Sequence, residues 1–318
     1  MLLSRRDILV GAAGIAGAAT LARPIATVLA AAAQPGTPVN FDVPSGACDC
    51  HTHVIGDARR FPFDASRSYT PESASVAEMR SLHRALHTER VVVVQPTFYG
   101  ADNSCTLDAI KQIGPSARGV AVITDHASNA ELDRLHRGGI RGIRIHIEVA
   151  GSSDAALVRQ VFQSAAGRIA GRNWHVEVVV SRLSDIEAIR EEVMASAVPV
   201  SFDLFGGDQS SLGIGKPGFD TLVSFLRGGK AYVNVSGPYR NPDVARIVKT
   251  LIAANPQRIT WGTNWPHVAR IPGRKISEIT PLDQVDDGQA LNQLPTRSSG
   301  AEHLKLILVE NPARLYGF

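Results

Sequence analysis

Two histidines separated by one residue are the first side chains in the sequence that could do chemistry together. They are His51 and His53, in the run Cys-Asp-Cys-His-Thr-His, and Asp49 stands two residues before the first. Side chains alternate between the faces of a strand, so a strand here predicts that Asp49, His51 and His53 share one face. The cysteines and the threonine of the run then lie on the other. Paired imidazoles can hold a metal ion, polarise a carbonyl or move a proton.

Eight short apolar runs predict the strands that would position such groups. Several are β-branched throughout, such as the four valines that begin at Val91, as is typical of strands buried on both faces. The runs cover residues 47–53, 90–95, 119–123, 142–146, 175–180, 198–204, 231–236 and 258–262.

Segments of helical periodicity separate these strands. Asn129 is the predicted N-cap of the third, and Gly138 follows its end. The segments cover residues 73–87, 104–113, 128–137, 153–172, 184–194, 217–226, 242–254, 302–309 and 312–316. Alternating strands and helices predict an α/β fold, a single-domain (β/α)8 TIM barrel. A doubly wound open sheet is the alternative, but no glycine-rich nucleotide turn follows any strand.

In such a barrel the chemistry lies at the carboxyl ends of the strands. Arginine binds carboxylates through two parallel hydrogen bonds, so Arg144 and Arg240 predict an anionic substrate. The polar groups expected at these ends are His51, His53, Gln95, Tyr99, Arg144, His146, Glu177, Asp203, Tyr239, Arg240, Asn264 and His267.

Other histidines and the cysteines are expected to lie outside the site. His175 opens a strand at the opposite end of the barrel, which predicts a structural role. The helices and loops carry further histidines that are expected to be solvated: His83, His87, His126 and His136. The three cysteines form no disulfide framework and are expected to be small buried hydrophobes.

The first 33 residues have the features of an export signal. Arg5 and Arg6 precede an apolar run to Ala19, and an alanine-rich exit ends at Ala33. This pattern predicts a Tat-type signal peptide over residues 1–33, a lead-in over 34–46 and the barrel over 47–318. A membrane anchor is the alternative, but the apolar run is short and rich in glycine and alanine. We therefore expect recognition by the Tat export machinery, a bacterial periplasmic location, and no membrane association after cleavage.

Composition excludes one class of partner. The formal net charge is only +3, aromatic residues make up 6% of the chain, and there is no sustained basic run. A nucleic-acid-binding protein normally carries a basic patch or stripe. The sequence therefore predicts a small-molecule partner and no nucleic acid.

Several motifs resemble those of a known family. The run that contains His51 and His53 resembles the entry motif of the amidohydrolase superfamily. Four further runs resemble its amidohydrolase-related branch, which includes 2-pyrone-4,6-dicarboxylate lactonases and galactarolactone isomerases: Val-Gln95-Pro-Thr-Phe-Tyr99-Gly, Gly-Ile-Arg144, Ser-Gly-Pro-Tyr239-Arg240 and Trp261-Gly-Thr-Asn264-Trp-Pro-His267. The resemblance extends over the mature chain and implies a (β/α)8 barrel.

The resemblance also shows where this chain departs from the metal-dependent members. Those members use histidines on strands five and six and an aspartate on strand eight, where this chain has Val179, Leu204 and Asn264. Valine and leucine cannot ligate, and Asn264 cannot ionise to act as a general base. We therefore expect no cofactor and no tightly bound metal. One divalent ion such as zinc, held loosely by His51 and His53, is the alternative.

The resemblance implies a hydrolase that acts on a lactone, or a related acyl compound, of a small anionic carboxylic or sugar acid. His51 and His53 would polarise the reacting carbonyl, and His267 or the first-strand pair would carry the proton. Asn264 completes the predicted catalytic set. The predicted substrate-binding residues are Arg144, Arg240, Tyr99, Gln95, Tyr239 and His146.

Three other functions are kept as alternatives. A lactone isomerase, in which a substrate hydroxyl attacks, needs no activated water and agrees with the loss of the aspartate. A non-catalytic binding protein would keep the arginine clamp without turnover. A metal-dependent decarboxylase would need the absent ligands.

Overall fold

The computed structural model describes residues 32–147, 154–180, 182–207, 213–237, 243–269, 271 and 273–318. Residues 1–31 of the predicted signal peptide, and the predicted binding residues Tyr239 and Arg240, lie outside the described residues. Within the described ranges, no helix combines the length and the apolar character that crossing a membrane requires.

Eight parallel strands form the barrel that the sequence predicts. In order around the sheet these are β1, β3, β4, β5, β6, β7, β8 and β9. Two short strands, β2 and β10, pair separately. The bounds are β1 Cys48–Thr52, β2 Thr70–Pro71, β3 Arg90–Val94, β4 Ala117–Ala121, β5 Ile140–Ile147, β6 His175–Val180, β7 Val200–Gly207, β8 Ala231–Ser236, β9 Ile259–Gly262 and β10 Ile279–Thr280.

The barrel closes where the first strand meets the segment after the last. Thr52 bridges Trp265 in parallel. The backbone nitrogen of Asn264 donates to the carbonyl of His51 at 2.9 Å, and that of His53 donates to the carbonyl of Trp265 at 2.8 Å. The first-strand histidines and Asn264 are therefore neighbours because of closure.

Helices alternate with the barrel strands. Their bounds are α1 Val76–Leu86, α2 Ser104–Ile113, α3 Asn129–Arg137, α4 Ala155–Ile169, α5 Ser184–Ala188, α6 Arg190–Ala195, α7 Pro217–Arg227, α8 Val244–Ala254, α9 Asp287–Asn292, α10 Leu294–Arg297, α11 Ala301–Lys305 and α12 Asn311–Tyr316. The segment predicted over 184–194 is two helices, and α9 and α10 were not predicted. The N-cap of α3 is Ser128, not Asn129, because the Ser128 hydroxyl accepts the Glu131 amide at 3.1 Å.

Alternation along the strands sorts apolar side chains into two clusters. Val91 and Val93 pack outward with the helices, in the larger cluster. The smaller cluster joins inward-facing residues of β1, β3, β4 and β8 to the C-terminal helix α12. Arg118 donates to the carbonyl of Gly317 at 2.9 and 3.2 Å, which holds α12 against the amino ends of the strands. The open end of the barrel is therefore the carboxyl end.

The first strand departs from regular alternation. Cys48 and Asp49 pair with Arg90 and Val91, but the next pairing is Thr52 with Val93, so β1 holds one extra residue there. Such an irregularity re-aims the side chains around it. The prediction that Asp49 shares a face with His51 and His53 is therefore wrong: Asp49 contacts His83 of α1, outside the barrel.

Candidate active site

His51 lies at the centre of a buried polar cluster inside the barrel. Its Nδ1 atom is 3.0 Å from Oδ1 of Asp203, and both side chains are fully buried. The same aspartate oxygen lies 3.3 Å from the hydroxyl of Ser236. The first, sixth and seventh barrel strands, β1, β7 and β8, bring these three groups together.

Arg144 joins this cluster from β5. Its Nη2 atom donates to Oδ2 of Asp203 at 2.8 Å, and its Nε atom lies 3.4 Å from Oε1 of Glu177. This placement differs from the predicted substrate clamp, because two of the three guanidinium nitrogens face protein carboxylates. Arg144 therefore holds the floor of the site together.

The two carboxyl groups beside Arg144 ionise differently. Burial and the neighbouring Asp203 raise the pKa of Glu177 well above its ordinary value, although Arg144 opposes this. Burial alone would also raise the pKa of Asp203, but His51 and Arg144 outweigh it and lower that pKa. Glu177 is therefore a neutral acid and Asp203 a carboxylate at neutral pH.

The hydrogen bonds of His53 define its tautomer. Burial, together with the charges of His51 and Arg144, lowers the pKa of His53 well below its ordinary value, so the ring is neutral. Its Nδ1 atom lies 2.8 Å from the carbonyl of Val94 and must carry the proton. Its Nε2 atom then presents a lone pair, 3.2 Å from Nε2 of His51. The contact between the two Nε2 atoms therefore requires the proton on Nε2 of His51.

Asp49 fixes the site from behind the first strand. Its Oδ1 accepts from the backbone nitrogens of His51 and Thr263 at 3.2 and 3.0 Å. Its Oδ2 accepts from the Thr263 hydroxyl at 2.7 Å and lies 3.2 Å from Nε2 of His83. The prediction that His83 is solvated is wrong, since it is buried against this carboxylate. Asp49 thereby ties β1 to the segment after β9.

Two backbone features lie at the barrel rim, where Asp49 joins β1 to the segment after β9. Asn264 has φ of 64°, a left-handed conformation that asparagine tolerates better than most residues. Gly262 is required by close approach: a Cβ there would lie 2.7 Å from both the Cβ and the backbone nitrogen of His51. The run around Asn264 therefore fits its backbone role as well as the site.

His267 has a carboxylate partner that sequence reasoning missed. Its Nε2 atom lies 2.8 Å from Oδ2 of Asp287, and both residues are buried. Burial raises the pKa of Asp287, although the contact with His267 opposes this. Asp287 is the first residue of α9 and lies twenty residues after His267 in the sequence. No sequence pattern connects these two residues. Asp203, by contrast, could be recognised from the sequence, because it is a charged residue inside the apolar strand Val200–Gly207.

Two predicted substrate-binding residues are used by the protein itself. The Gln95 amide donates to the carbonyls of Gly100 and Asp102 at 3.1 and 2.9 Å, and its oxygen accepts from Thr106 at 2.6 Å. The Tyr99 hydroxyl accepts the Gly56 amide at 3.1 Å, and its ring is buried. Both stabilise the loop after β3 instead of facing a ligand. His146 lies two residues beyond Arg144 on β5 and is half-buried.

Several histidines and all three cysteines lie away from the site. His175 is buried at the amino end of β6, where its Nδ1 lies 3.0 Å from the carbonyl of Arg141, which confirms a structural role. His136 is exposed, but its Nδ1 accepts from Trp174 at 2.9 Å. All three cysteines are free and buried, as predicted.

Among the residues that the structure describes, two groups of side chains could be considered for a metal ion. Ligand atoms of His51, Glu177 and Asp203 lie within 4.8 Å of one another. The guanidinium of Arg144 lies against both carboxyl groups, and its charge would repel a divalent cation there. The Nε2 atoms of His51 and His53 could together contact one ion, but a catalytic zinc takes three protein ligands. At the two positions where the family resemblance implies further ligands, this chain has Val179 and Leu204, so the donor set does not fit such a centre.

Comparison with known proteins identifies the family. The amidohydrolase family model matches residues 48–318, which is the whole barrel. This chain belongs to the amidohydrolase family. The resemblance that the motifs indicated is thereby confirmed, and the fold agrees with it.

Curated relatives of this amidohydrolase are enzymes that act on lactones. It is 34% identical over 302 residues to the 2-pyrone-4,6-dicarboxylate hydrolase of Comamonas testosteroni, covering 89% of this chain and 94% of the relative. It is 30% identical over 290 residues to the 4-sulfomuconolactone hydrolase of Hydrogenophaga intermedia, covering 88% and 91%. It is 25% identical over 302 residues to the D-galactarolactone isomerase of Agrobacterium fabrum, covering 88% and 94%.

A solved structure shows the same architecture. This amidohydrolase superposes on a crystal structure of an Agrobacterium tumefaciens protein with a TM-score of 0.75. The two are 22% identical, and the match covers 89% of this chain and 98% of the other. The likeness confirms the TIM barrel.

Proposed function

We propose that this amidohydrolase hydrolyses a lactone of a small anionic carboxylic or sugar acid, without a tightly bound metal ion. The observation that carries the proposal is the buried pair His51 and His53, held beside Asp203 and Arg144 at the barrel's open end. Relatives of 34% and 30% identity are named as hydrolases of a pyrone dicarboxylate and of a sulfomuconolactone.

The charges of the cluster suit an anionic substrate. The guanidinium of Arg144 balances the carboxylate of Asp203, and the raised pKa of Glu177 keeps a second negative charge out of the cluster. Because the cluster then has no excess negative charge, its hydrogen-bond donors can attract an anion and the oxyanion that forms from it.

His51 and His53 have different roles in the proposed reaction. The Nε2 proton of His51 is the donor that would stabilise the oxyanion as the lactone carbonyl is attacked. Substrate and water would first open the 3.2 Å contact between the two Nε2 atoms, after which the Nε2 lone pair of His53 would accept the proton of the attacking water. The proton then passes to the ring oxygen as the lactone opens. Asn264 would hold the substrate by hydrogen bonds.

Isomerisation is a second candidate, and Asn264 favours it. If a hydroxyl of the substrate replaces water, the same histidines move the same proton, and no carboxylate at position 264 is needed. The Agrobacterium fabrum relative of 25% identity is named as a lactone isomerase. The two reactions differ only in the nucleophile.

Isotope labelling distinguishes these reactions. Purified enzyme is incubated with lactones of dicarboxylic and sugar acids in ¹⁸O-labelled water, and products are followed by NMR and mass spectrometry. Label in an opened acid is expected for hydrolysis. A changed ring without label would replace the proposal with isomerisation, and absence of turnover across the panel would replace it with a binding protein.

Metal analysis tests the remaining part of the mechanism. We expect less than about 0.1 equivalent of zinc or manganese after purification without chelator, and unchanged turnover after treatment with a chelator, because the ligand set is incomplete. Near-stoichiometric metal, or activity lost to the chelator and restored by one ion, would instead favour the metal-dependent decarboxylase alternative.

We further propose that the protein acts in the periplasm after Tat export. The twin arginines Arg5 and Arg6 and the alanine-rich exit support this. Fractionation of cells that express the full chain tests it, with the double variant Arg5→Lys, Arg6→Lys as the control. Equal periplasmic yield of both proteins would contradict a twin-arginine route.

A further inference from the structure

A short turn at the barrel rim, residues 264–267, holds the backbone of the first strand at the active site. The backbone nitrogen of Asn264 donates to the carbonyl of His51 at 2.9 Å. The carbonyl of Trp265 accepts from the backbone nitrogen of His53 at 2.8 Å. A shift of this rim turn would therefore move the backbone of both histidines of the proposed reaction.

The conformation of the rim turn depends on contacts with other segments. Its first and last residues, Asn264 and His267, have φ of 64° and 63°. Few residues other than glycine adopt this left-handed region, and it persists where the surrounding structure holds it. Within the turn, the backbone nitrogen of His267 donates to the carbonyl of Asn264 at 3.1 Å. The position of His267 therefore determines the position of Asn264.

Asp287 holds the last residue of the rim turn through its side chain. Its Oδ2 atom lies 2.8 Å from Nε2 of His267, and the two side chains are 1% and 0% exposed. Such a buried hydrogen bond is strong, because little water competes for either partner. The carbonyl of His267 also accepts from the backbone nitrogen of Asp283 at 2.7 Å. The segment that leads into α9 thus holds both the side chain and the backbone of His267.

Helix α9 keeps Asp287 at a fixed position. Asp287 is its first residue, and the preceding Asp286 accepts from the backbone nitrogen and the hydroxyl of Thr37 at 3.2 and 2.7 Å. At the other end of the helix, the Asn292 amide donates to the carbonyl of Pro38 at 2.9 Å. Both ends of α9 are therefore bound to the lead-in segment, so Asp287 is a fixed support for the rim turn.

We propose that Asp287 is a positioning residue for the reaction described above. It acts through His267 and fixes the rim turn, and thereby the Asn264 amide and the backbone of His53. The buried ring of His267, which the sequence predicts to be catalytic, transmits this support. The inference rests on the proposed function, which supplies the roles of Asn264 and His53.

Amide hydrogen exchange, followed by NMR, tests the proposal without any substrate. Asp287→Ser is too short to reach His267, and His267→Asn removes the same contact while tolerating the left-handed backbone. In both variants we expect the amides of His53 and Asn264 to exchange at least about 10-fold faster. The matched control is Asn292→Ala, which loses contacts at the other end of α9 and should change these rates less than about 3-fold. Unchanged rates in the first two variants, or equal acceleration in the control, would overturn the proposal.

Kinetics separate positioning from stability. At a temperature well below every Tm, kcat should fall at least about 10-fold in Asp287→Ser but less than about 3-fold in Asp287→Asn, whose amide oxygen still accepts from His267. Asn292→Ala should lower Tm and leave kcat within about 2-fold. Losses of kcat that follow Tm across the three variants would show that Asp287 only stabilises the fold. Absence of turnover in the unmodified enzyme would refute the proposed function, and the exchange rates alone would then decide the role of Asp287.

Discussion

The Nδ1 atom of His51 lies 3.0 Å from Oδ1 of Asp203, with both side chains fully buried inside the barrel. Arg144 holds the other oxygen of the same carboxylate at 2.8 Å. Asp203 is thus fixed from two sides, and His51 can direct only its Nε2 atom toward a ligand. The arrangement orients a proton donor, as the carboxylate partner of an imidazole does in many hydrolases.

Asp203→Asn should therefore remove most of the activity. The amide can present its NH₂ group to His51, which no longer favours a proton on Nδ1, so kcat should fall about 10²–10³-fold while KM changes by less than about 5-fold. Steady-state kinetics well below both unfolding temperatures measure this. Ser236→Ala removes only the 3.3 Å contact to the same carboxylate and should cost less than about 10-fold. Equal losses in the two variants would show that the imidazole–carboxylate contact is not the decisive one.

Gly262→Ala should disturb the site without unfolding the barrel. The added Cβ would meet the Cβ and the backbone nitrogen of His51 at 2.7 Å, so the histidine strand must shift. We expect kcat/KM to fall at least about 10-fold. The matched control is Gly167→Ala in α4, where a Cβ meets nothing within 4 Å and a helical alanine should stabilise by about 0.5–1 kcal/mol. An active Gly262→Ala enzyme would mean that His51 tolerates displacement.

Arg240→Met and Arg144→Met should separate substrate binding from structural support. Arg240 follows the seventh barrel strand in sequence, and its loss should raise KM for anionic lactones at least about 10-fold with little change in Tm. Arg144→Met leaves Asp203 and Glu177 without their buried cation, which should destabilise the fold by about 3–5 kcal/mol. Kinetics and urea unfolding measure the two effects. An unchanged KM in Arg240→Met would reject the predicted clamp.

Asn264→Asp should favour hydrolysis over ring migration. A carboxylate at this position can accept a proton from water, which the amide cannot. We expect the rate of ¹⁸O incorporation to rise relative to any unlabelled product, measured by mass spectrometry, together with a repeat of the metal analysis. Asn264→Ala is the control for loss of the amide alone. If neither labelling nor metal content changes in Asn264→Asp, position 264 is not where water activation was lost.

His175 should make the fold less stable in acid. Burial lowers its pKa to about 4, whereas an unfolded histidine titrates near 6.5. The unfolded chain therefore binds more protons between these values, so the contribution is complete above pH 6.5 and is lost as pH falls toward 4, by about 1.4 kcal/mol per pH unit.

His175→Phe isolates this effect. The free energy of unfolding in urea is measured at pH 7 and pH 5 for both proteins. The drop should be smaller in the variant by up to about 2 kcal/mol. His53 titrates with the same sign and Glu177 with the opposite sign, but both are present in each protein and cancel in the comparison. Identical drops would contradict a buried neutral His175.

Local patterns in the sequence are enough to predict the architecture and the centre of the site. Strand and helix periodicity are local, so all eight barrel strands could be predicted, with bounds displaced by only a few residues. Because carboxyl ends of parallel strands meet at one end of a barrel, the spacing of His51 and His53, together with Arg144 and Asn264, was enough to place them near one another. The same motifs carried the family resemblance.

Which polar groups contact one another depends on the folded arrangement and does not follow from local patterns. One extra residue in β1 turned Asp49 away from His51, a change of register that side-chain period alone does not reveal. The sequence predicted that Gln95 binds substrate, but in the fold its side-chain amide donates to backbone carbonyls of the loop that follows its own strand. Asp287 reached His267 through a helix that the sequence did not signal. Periodicity is set by neighbours along the chain, whereas these contacts depend on barrel closure and on the competition of buried polar groups for partners.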